Sequence, residues 1–194
     1  MALLAREPKV SLFQETPNVA DIFGISLLHR HFDMDPEEVL VEYGRTSSPW
    51  QVPEDPSNYM DGSISPRSWC FSGDSGLPEP YEYEFKKHAS TGHDTLITLT
   101  DHAEFVTKLG AILDRHDLKS TLGLMAITPD YLQGPDNDSM LCERTFGKAN
   151  VVFNIGRNAV NSKGTRTSVW VFGKRVQGGQ EAMLCFGGCG CHDR

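Results

Sequence analysis

Short apolar or alternating segments, separated by stretches rich in glycine, proline, asparagine and aspartate, dominate the chain. Segments of this kind are typical of β-strands, in which successive side chains point to opposite faces. The pattern predicts about eight strands, at residues 23–32, 39–43, 66–72, 81–87, 122–127, 149–155, 167–172 and 182–186. Turn-forming residues between them predict that the first two strands form one hairpin and the next two form another.

One segment follows a helical pattern instead. Apolar residues recur at helical spacing from Phe105 to Leu113, which predicts a stripe that packs against the core. Asp101 and Glu104 stand three residues apart before this stripe and predict a capping box at the start of the helix. Strands joined mostly by loops, with one substantial helix, favour an α+β fold that is mostly β. We expect a curled antiparallel sheet or a small barrel with the helix packed against it.

The length of 194 residues predicts a single domain, 1–194, with one hydrophobic core. Weak patterning predicts that residues 1–16 form an arm. Prolines and small polar residues predict a long loop at 44–63, because prolines disfavour both helices and central strands. Residues 185–194 form a cysteine-rich tail.

The charge balance narrows the classes of partner. Lys and Arg number 18 against 26 Asp and Glu, which gives a formal net charge of −8. An acidic chain repels phosphate backbones and anionic lipids, so we expect no nucleic-acid partner and no membrane partner. The N-terminal residues lack the apolar core of a secretory signal, and no uncharged stretch is long enough to cross a bilayer. We therefore expect a cytoplasmic protein whose partner is a small-molecule substrate.

Two histidines provide the strongest candidate for chemistry. In a strand, His29, His31 and Asp33 would share the face that carries Phe23 and Ile25. Two imidazoles at the end of an apolar strand face can bind one metal ion at the mouth of a barrel. The same residues are also compatible with hydrogen bonds to neighbouring strands, or with a pair of His29 or His31 with Asp33 that performs acid–base catalysis.

The segment from Gly24 to Gly44 resembles the first signature of the cupins, which are small β-barrels. The resemblance rests on His29, His31 and Glu37, and it implies that these three residues bind a metal ion. The gap before His29 is one residue shorter than in the signature, and the gap before Glu37 is one longer. The second cupin signature is not found. The segments LLHRHF and EEVLVE are also similar to uncharacterised fungal proteins, which implies no activity.

The tail contains a second set of candidate ligands. Cys185, Cys189, Cys191 and His192 lie within eight residues, separated largely by glycines. Thiolates and an imidazole on such a flexible backbone suit zinc or copper(I). A redox-active thiol pair and a tail without a role are the alternatives. If residues 182–186 form a strand, a further alternative is that the cysteines and His29 and His31 bind one metal ion together.

Three other groups receive structural interpretations. Ser75 lies in a Gly-Asp-Ser-Gly stretch, which we interpret as an ordinary turn. Glu82 lies on the polar face of its strand and is interpreted as solvated. Glu143 is either an inward carboxylate, acting as a base or ligand, or the partner of Arg144 on the surface. The surface pair is the preferred interpretation.

These features favour a metal-dependent enzyme that acts on a small organic molecule. His29 and His31 are the predicted ligands of a divalent ion, zinc or iron, with Glu37 as the third, and oxygenation, hydrolysis and isomerisation all stay open. One alternative is a metal-free isomerase or cyclase that uses a His–Asp pair. The other is a protein that binds a soft metal, copper included, or reacts through its C-terminal cysteines without turnover.

Overall fold

Ten strands and one α-helix make up most of the part of the chain that the structure describes. The structure is a computed structural model, and it describes residues 12, 16, 18–51, 62–71, 77–87, 99–127, 139–160, 164–172 and 180–186. The strands are β1 (Phe23–Leu27), β2 (Glu38–Tyr43), β3 (Thr46–Gln51), β4 (Gly62–Cys70), β5 (Glu79–Lys87), β6 (Leu122–Ala126), β7 (Ser139–Phe146), β8 (Ala149–Gly156), β9 (Thr165–Val171) and β10 (Gln180–Phe186). The helix is α1 (Ala103–Arg115).

The ten strands close into a barrel in the order β1-β6-β4-β5-β2-β3-β8-β7-β10-β9. Closure leaves no unpaired edge strand among them. The expected mostly β barrel with one helix is therefore confirmed. The sheet is not wholly antiparallel, because β2 pairs with β5 and β7 pairs with β10 in parallel.

One of the two predicted hairpins is present. β4 and β5 pair antiparallel along their length, as predicted. The predicted hairpin of β1 with β2 is wrong, because β1 pairs with β6 and β9. Phe23 and Ile25 on β1 belong to an apolar cluster that also contains Leu124 of β6. This shared burial favours β6 as the neighbour of β1, although the two are far apart in sequence.

Two strands were not predicted. The predicted loop 44–63 is wrong over Thr46–Gln51, which form β3. Pro49 is tolerated there because β3 pairs with β8 only at Thr46 and Ser47, so no ladder to β8 needs an N–H at position 49. The other missed strand is β7, whose charged Glu143 and Arg144 obscure the apolar pattern.

The helix packs on the outside of the barrel, over β1, β4 and β6. Its buried residues Phe105, Val106, Leu109 and Leu113 share a cluster with strand residues that include Phe23, Trp69 and Leu124. The predicted capping box is wrong: a 3-10 turn, Leu99–His102, precedes the helix, and His102 occupies the N-cap position without a side-chain cap. Among the described residues, no helix is long and apolar enough to cross a bilayer.

The interior of the barrel is unusually polar. Residues from all ten strands line one internal cavity, which identifies it as the barrel lumen. Apolar lining residues come from β1, β6, β8, β9 and β10, and the polar ones include Ser26, Glu42, Ser47, Ser68, Glu82, Glu143, Asn150 and Ser168. A lumen this polar does not form an ordinary hydrophobic core, because buried polar groups require partners. The polar side chains of the lumen are therefore the candidate functional residues.

The close approach of β4 and β6 can be tested by substituting a glycine. A Cβ atom at Gly123 on β6 would lie 2.5 Å from the carbonyl oxygen of Trp69 on β4, which as backbone cannot easily move. We expect Gly123→Ala to lower the free energy of unfolding by about 1–3 kcal/mol in urea denaturation. Gly156→Ala is the matched control, because among the described residues no atom beyond its chain neighbours lies within 4 Å of its Cβ position. Equal stability of the two variants would contradict the close approach of β4 and β6.

Candidate metal centre

His29 and His31 lie just beyond the end of β1, in an irregular segment rather than in the predicted longer strand. The two imidazole rings nevertheless contact each other edge to face, with their centroids 4.4 Å apart. The Nδ1–H of His29 donates to the carbonyl oxygen of Leu27 at 2.9 Å, and Nδ1 of His31 lies 3.0 Å from the hydroxyl of Thr145. With both Nδ1 atoms engaged, the two Nε2 atoms are the ones available to the lumen.

Glu143 on β7 lies between the two imidazoles. Its Oε1 is 3.3 Å from Nε2 of His29, and its Oε2 is 3.3 Å from Nε2 of His31. The side-chain amide of Asn150 donates to Oε2 at 2.9 Å. Glu143 is only 4 % exposed, so the carboxylate is held inside the barrel.

The preferred interpretation of Glu143 as a surface partner of Arg144 is therefore wrong. The guanidinium of Arg144 instead lies over the ring of Phe146, 5.3 Å from its centroid. One sequence signal pointed the other way. The Gly147-Lys148 pair is a tight turn between two strands, and Gly147 has a positive φ of 61°. A hairpin through this turn makes Glu143 alternate with Cys142, so that one of the two must face the lumen.

Burial and charge together determine the pKa values of His29 and Glu143. Burial by itself lowers the pKa of His29, but the 3.3 Å contact with Glu143 and the negative charge of that carboxylate outweigh it and raise the pKa to about 9. Burial by itself raises the pKa of Glu143, yet its contacts with His29 and His31 lower that pKa well below the usual range. In the absence of a metal ion the centre is thus an ion pair between Glu143 and protonated His29 at neutral pH.

Cys185 completes the group from the neighbouring strand. In the parallel register of β7 and β10, Cys185 pairs with Glu143. One ligand atom each from His29, His31 and Cys185 lie within 4.8 Å of one another, and Cys185 is a buried thiol. These three residues could hold a metal ion. The sequence left open whether the histidines and a cysteine of the tail form one site, and the fold brings them together.

Two other predicted site residues, Asp33 and Glu37, do not join this group. Asp33 and Glu37 are both exposed, in the segment between β1 and β2. The carboxylate beside the histidines is Glu143, contributed by a strand more than 100 residues away. Cys189, Cys191 and His192, like Ser75, lie outside the described residues.

A second charged cluster lies in the same lumen. Arg67, only 4 % exposed, forms an ion pair through Nη1 with Oε2 of Glu42. Glu82, interpreted from the sequence as solvated, lines the cavity instead. Burial raises the pKa of Glu82, an effect that the charge of Arg67 partly offsets. The lumen thus holds three carboxylates against one guanidinium and the two imidazoles.

The space inside the barrel is small. The lumen encloses a cavity of about 30 Å³, lined by His29, Glu143 and Asn150 among others. A cavity of this size accommodates roughly two water molecules. It fits an ion and the reacting group of a small molecule rather than a whole drug-sized ligand, for which pockets of roughly 300 Å³ or more are usual.

Comparison of the chain with protein-family models, with curated proteins and with solved structures gives no significant match.

Proposed function

We propose that the protein is a metal-dependent enzyme that acts on a small molecule at the mouth of its barrel. The observation that carries this proposal is the convergence of His29, His31 and Cys185, whose ligand atoms lie within 4.8 Å of one another. Two imidazoles and one thiol in a buried position form a ligand set that zinc accepts readily, and three protein ligands are typical of catalytic zinc sites.

The distances support an ion at this place. A tetrahedral ion with bonds of about 2.0–2.3 Å holds its ligand atoms about 3.3–3.8 Å apart. The three candidate ligand atoms, which lie within 4.8 Å of one another, therefore need to approach by about 1.5 Å at most. The contacts of Glu143 with both Nε2 atoms, at 3.3 Å, are longer than the roughly 2.7–2.9 Å of strong charge-assisted hydrogen bonds. A separation of 3.3 Å instead matches that of two ligand atoms on one tetrahedral ion.

Glu143 has the position of a proton acceptor or a fourth ligand. It is buried, and a divalent ion beside it would keep the carboxylate ionised at neutral pH. A divalent ion at this position would polarise a substrate oxygen and lower the pKa of an adjacent water. The carboxylate of Glu143 would be placed to accept the proton that is released, and the hydrogen bond from Asn150 to its Oε2 fixes its orientation. Hydrolysis, hydration or elimination at a small electrophilic group are the reactions that suit this arrangement.

The metal content of purified protein tests the proposal. Protein prepared without chelator and supplied with zinc is expected to hold about one ion per chain. His29→Ala and Cys185→Ala each remove a ligand, and we expect the affinity for zinc to fall on the order of tenfold or more. The measurement is elemental analysis after dialysis, together with zinc titration against a competing chelator.

The chain offers matched controls. His116→Ala removes an exposed histidine, and Cys142→Ala removes a thiol that packs with Met140 and Leu184 instead of facing the site. Both are expected to keep their zinc. A chain ending after Phe186 retains Cys185 and removes the other candidate ligands of the tail, and it is also expected to keep its zinc. Absence of zinc from the parent protein, or its loss on this truncation alone, would overturn the proposed centre.

The ion pair of His29 with Glu143 favours one second candidate. A buried imidazole beside a carboxylate can transfer protons in an isomerase or cyclase without any metal, the role that the sequence assigned to Asp33. The two candidates differ in their response to chelation. Turnover that survives removal of the ion and is lost in Glu143→Gln favours the metal-free reaction, whereas turnover that returns only with added zinc favours the metal centre.

A further inference from the structure

Asn150 on β8 presents a buried acceptor to the lumen. The side chain donates through Nδ2 to the carboxylate of Glu143, which can only accept, and this contact sets the orientation of the amide. The other atom of the amide, Oδ1, is buried and has no hydrogen-bond partner among the described residues. Asn150 as a whole is 4 % exposed. A buried carbonyl oxygen in this state calls for a donor from a ligand or a water molecule.

Ser168 on β9 presents a second group of the same kind. It is 1 % exposed, and its Oγ makes no hydrogen bond to any described residue. Ser168 and Asn150 line the same cavity, together with His29 and Glu143 of the candidate metal centre. A hydroxyl and an amide oxygen on two different strands therefore face the space next to the proposed ion.

The charges of the lumen decide which ligands fit. Glu42, Glu82 and Glu143 line the cavity, and Arg67 is already paired with Glu42. An anionic group would meet the negative charge of these carboxylates and an amide oxygen that can only accept, and of Asn150 and Ser168 only the serine hydroxyl could donate to it. A group that donates hydrogen bonds meets acceptors on both sides.

We propose that Asn150 and Ser168 form a binding subsite for a hydroxyl or amino group of the substrate, beside the metal centre. The statement about substrate class rests on the proposed function, whereas binding at the subsite does not require the ion. The cavity volume of about 30 Å³ restricts the bound group to one or two heavy atoms. The enzyme thus selects small alcohols or amines and rejects carboxylates at this position.

Solution NMR with three small probes tests the subsite. Methanol, methylammonium chloride and sodium formate are titrated separately into the full ¹⁵N-labelled chain, with zinc and again with chelator. The signals followed are the backbone amides of Asn150 and Ser168. We expect methanol or methylammonium to give saturable shifts at both positions, with an affinity at least tenfold tighter than that of formate. Comparison of these two probes distinguishes a hydroxyl from an amino ligand.

Two variants locate the binding. Ser168→Ala removes one hydroxyl with little change of shape, and Asn150→Leu removes the acceptor. Each is expected to weaken binding of the donor probe about tenfold. Asn154→Leu is the matched control, because Asn154 is exposed on the same strand, and it is expected to leave binding unchanged. Should Asn150→Leu fail to fold, Ser168→Ala provides the same test.

Three outcomes overturn the subsite: no probe saturates, formate binds as tightly as the donors, or Ser168→Ala binds the donor probe as well as the parent does. Zinc content is measured on the same samples. One zinc per chain without donor binding rejects the subsite and leaves the metal centre standing. Donor binding in a chain that takes up no zinc rejects the metal centre and supports the subsite.

Discussion

Replacing Glu143 with glutamine is expected to lower the free energy of unfolding of the metal-free protein by about 3 kcal/mol at pH 6. The glutamine keeps the shape and can still accept the hydrogen bond from Asn150, but it removes the charge that stabilises protonated His29. Burial then dominates, and the pKa of His29 is expected to fall from about 9 to below its ordinary value of 6.5. Urea denaturation measures the first quantity, and NMR titration of the imidazole measures the second.

The pH dependence of this difference has a defined sign. The pKa of His29 is raised on folding, so its contribution to stability is fully present below 6.5 and is lost as the pH rises through about 9. The pKa of Glu143 is lowered on folding, so its contribution is present above its ordinary value of 4.5 and is lost as the pH falls. The difference between parent and Glu143→Gln is therefore expected to be largest between about pH 4.5 and 6.5.

An exposed pair supplies the control for this variant. Glu104 on α1 pairs with Lys108 at 2.6 Å, but its side chain is 84 % exposed. Screening by water makes such a pair weak, so Glu104→Gln is expected to change stability little at any pH in this range. If Glu143→Gln matches this control, or if the imidazole of His29 keeps its high pKa in the variant, the buried ion pair described here is not the stabilising one.

Replacing Arg67 with methionine is expected to cost about 3–5 kcal/mol of stability. Methionine replaces the aliphatic stem of the buried arginine, but it leaves the carboxylate of Glu42 in the lumen without its cationic partner. Glu82 also loses the positive charge that partly offsets its burial. The carboxylates are expected to take up protons in response, so the loss should be smaller at pH 5 than at pH 8. Urea denaturation at both pH values checks the size and the trend.

A second substitution separates the lost pair from lost packing. Glu42→Leu in the Arg67→Met background removes the unpaired charge, and replacement of a buried ion pair by apolar residues is often neutral. We therefore expect the double variant to recover most of the stability that Arg67→Met loses. A double variant as unstable as the single one would show that packing of the arginine stem, rather than its charge, determines the effect.

The sequence predicted the elements of the barrel better than their arrangement. Eight strands and the helix follow from local periodicity, which reports how a segment meets a core. The pairing of β1 with β6 and β9 does not, because strand neighbours depend on contacts between residues distant in sequence. The sequence predicts no strand at β3 because Pro49 lacks an N–H, whereas β8 pairs with β3 only at Thr46 and Ser47 and needs no N–H at position 49.

The candidate site shows the same division. His29 and His31 were identified because two residues of an unusual type stand two apart in the chain, a pattern visible without a structure. The sequence predicts Glu37 as the carboxylate from the resemblance to the cupin signature, and Asp33 because it would share a strand face with the histidines. Glu143 takes that position because β7 brings it to the end of β1 inside the closed barrel. An interior-facing and a solvent-facing carboxylate have the same local pattern in a strand.

By itself, the sequence determined a mostly β fold, one external helix and the chemistry of a histidine pair, because hydrophobic spacing and residue type act locally. Only the tertiary structure decided that Cys185 joins the histidines, that Glu143 lies between them and that Arg67 is buried with Glu42. Closure of the ten described strands converts one face of each into a shared interior. Side chains separated by more than 100 residues thereby become neighbours, and burial strengthens the electrostatic interactions between them.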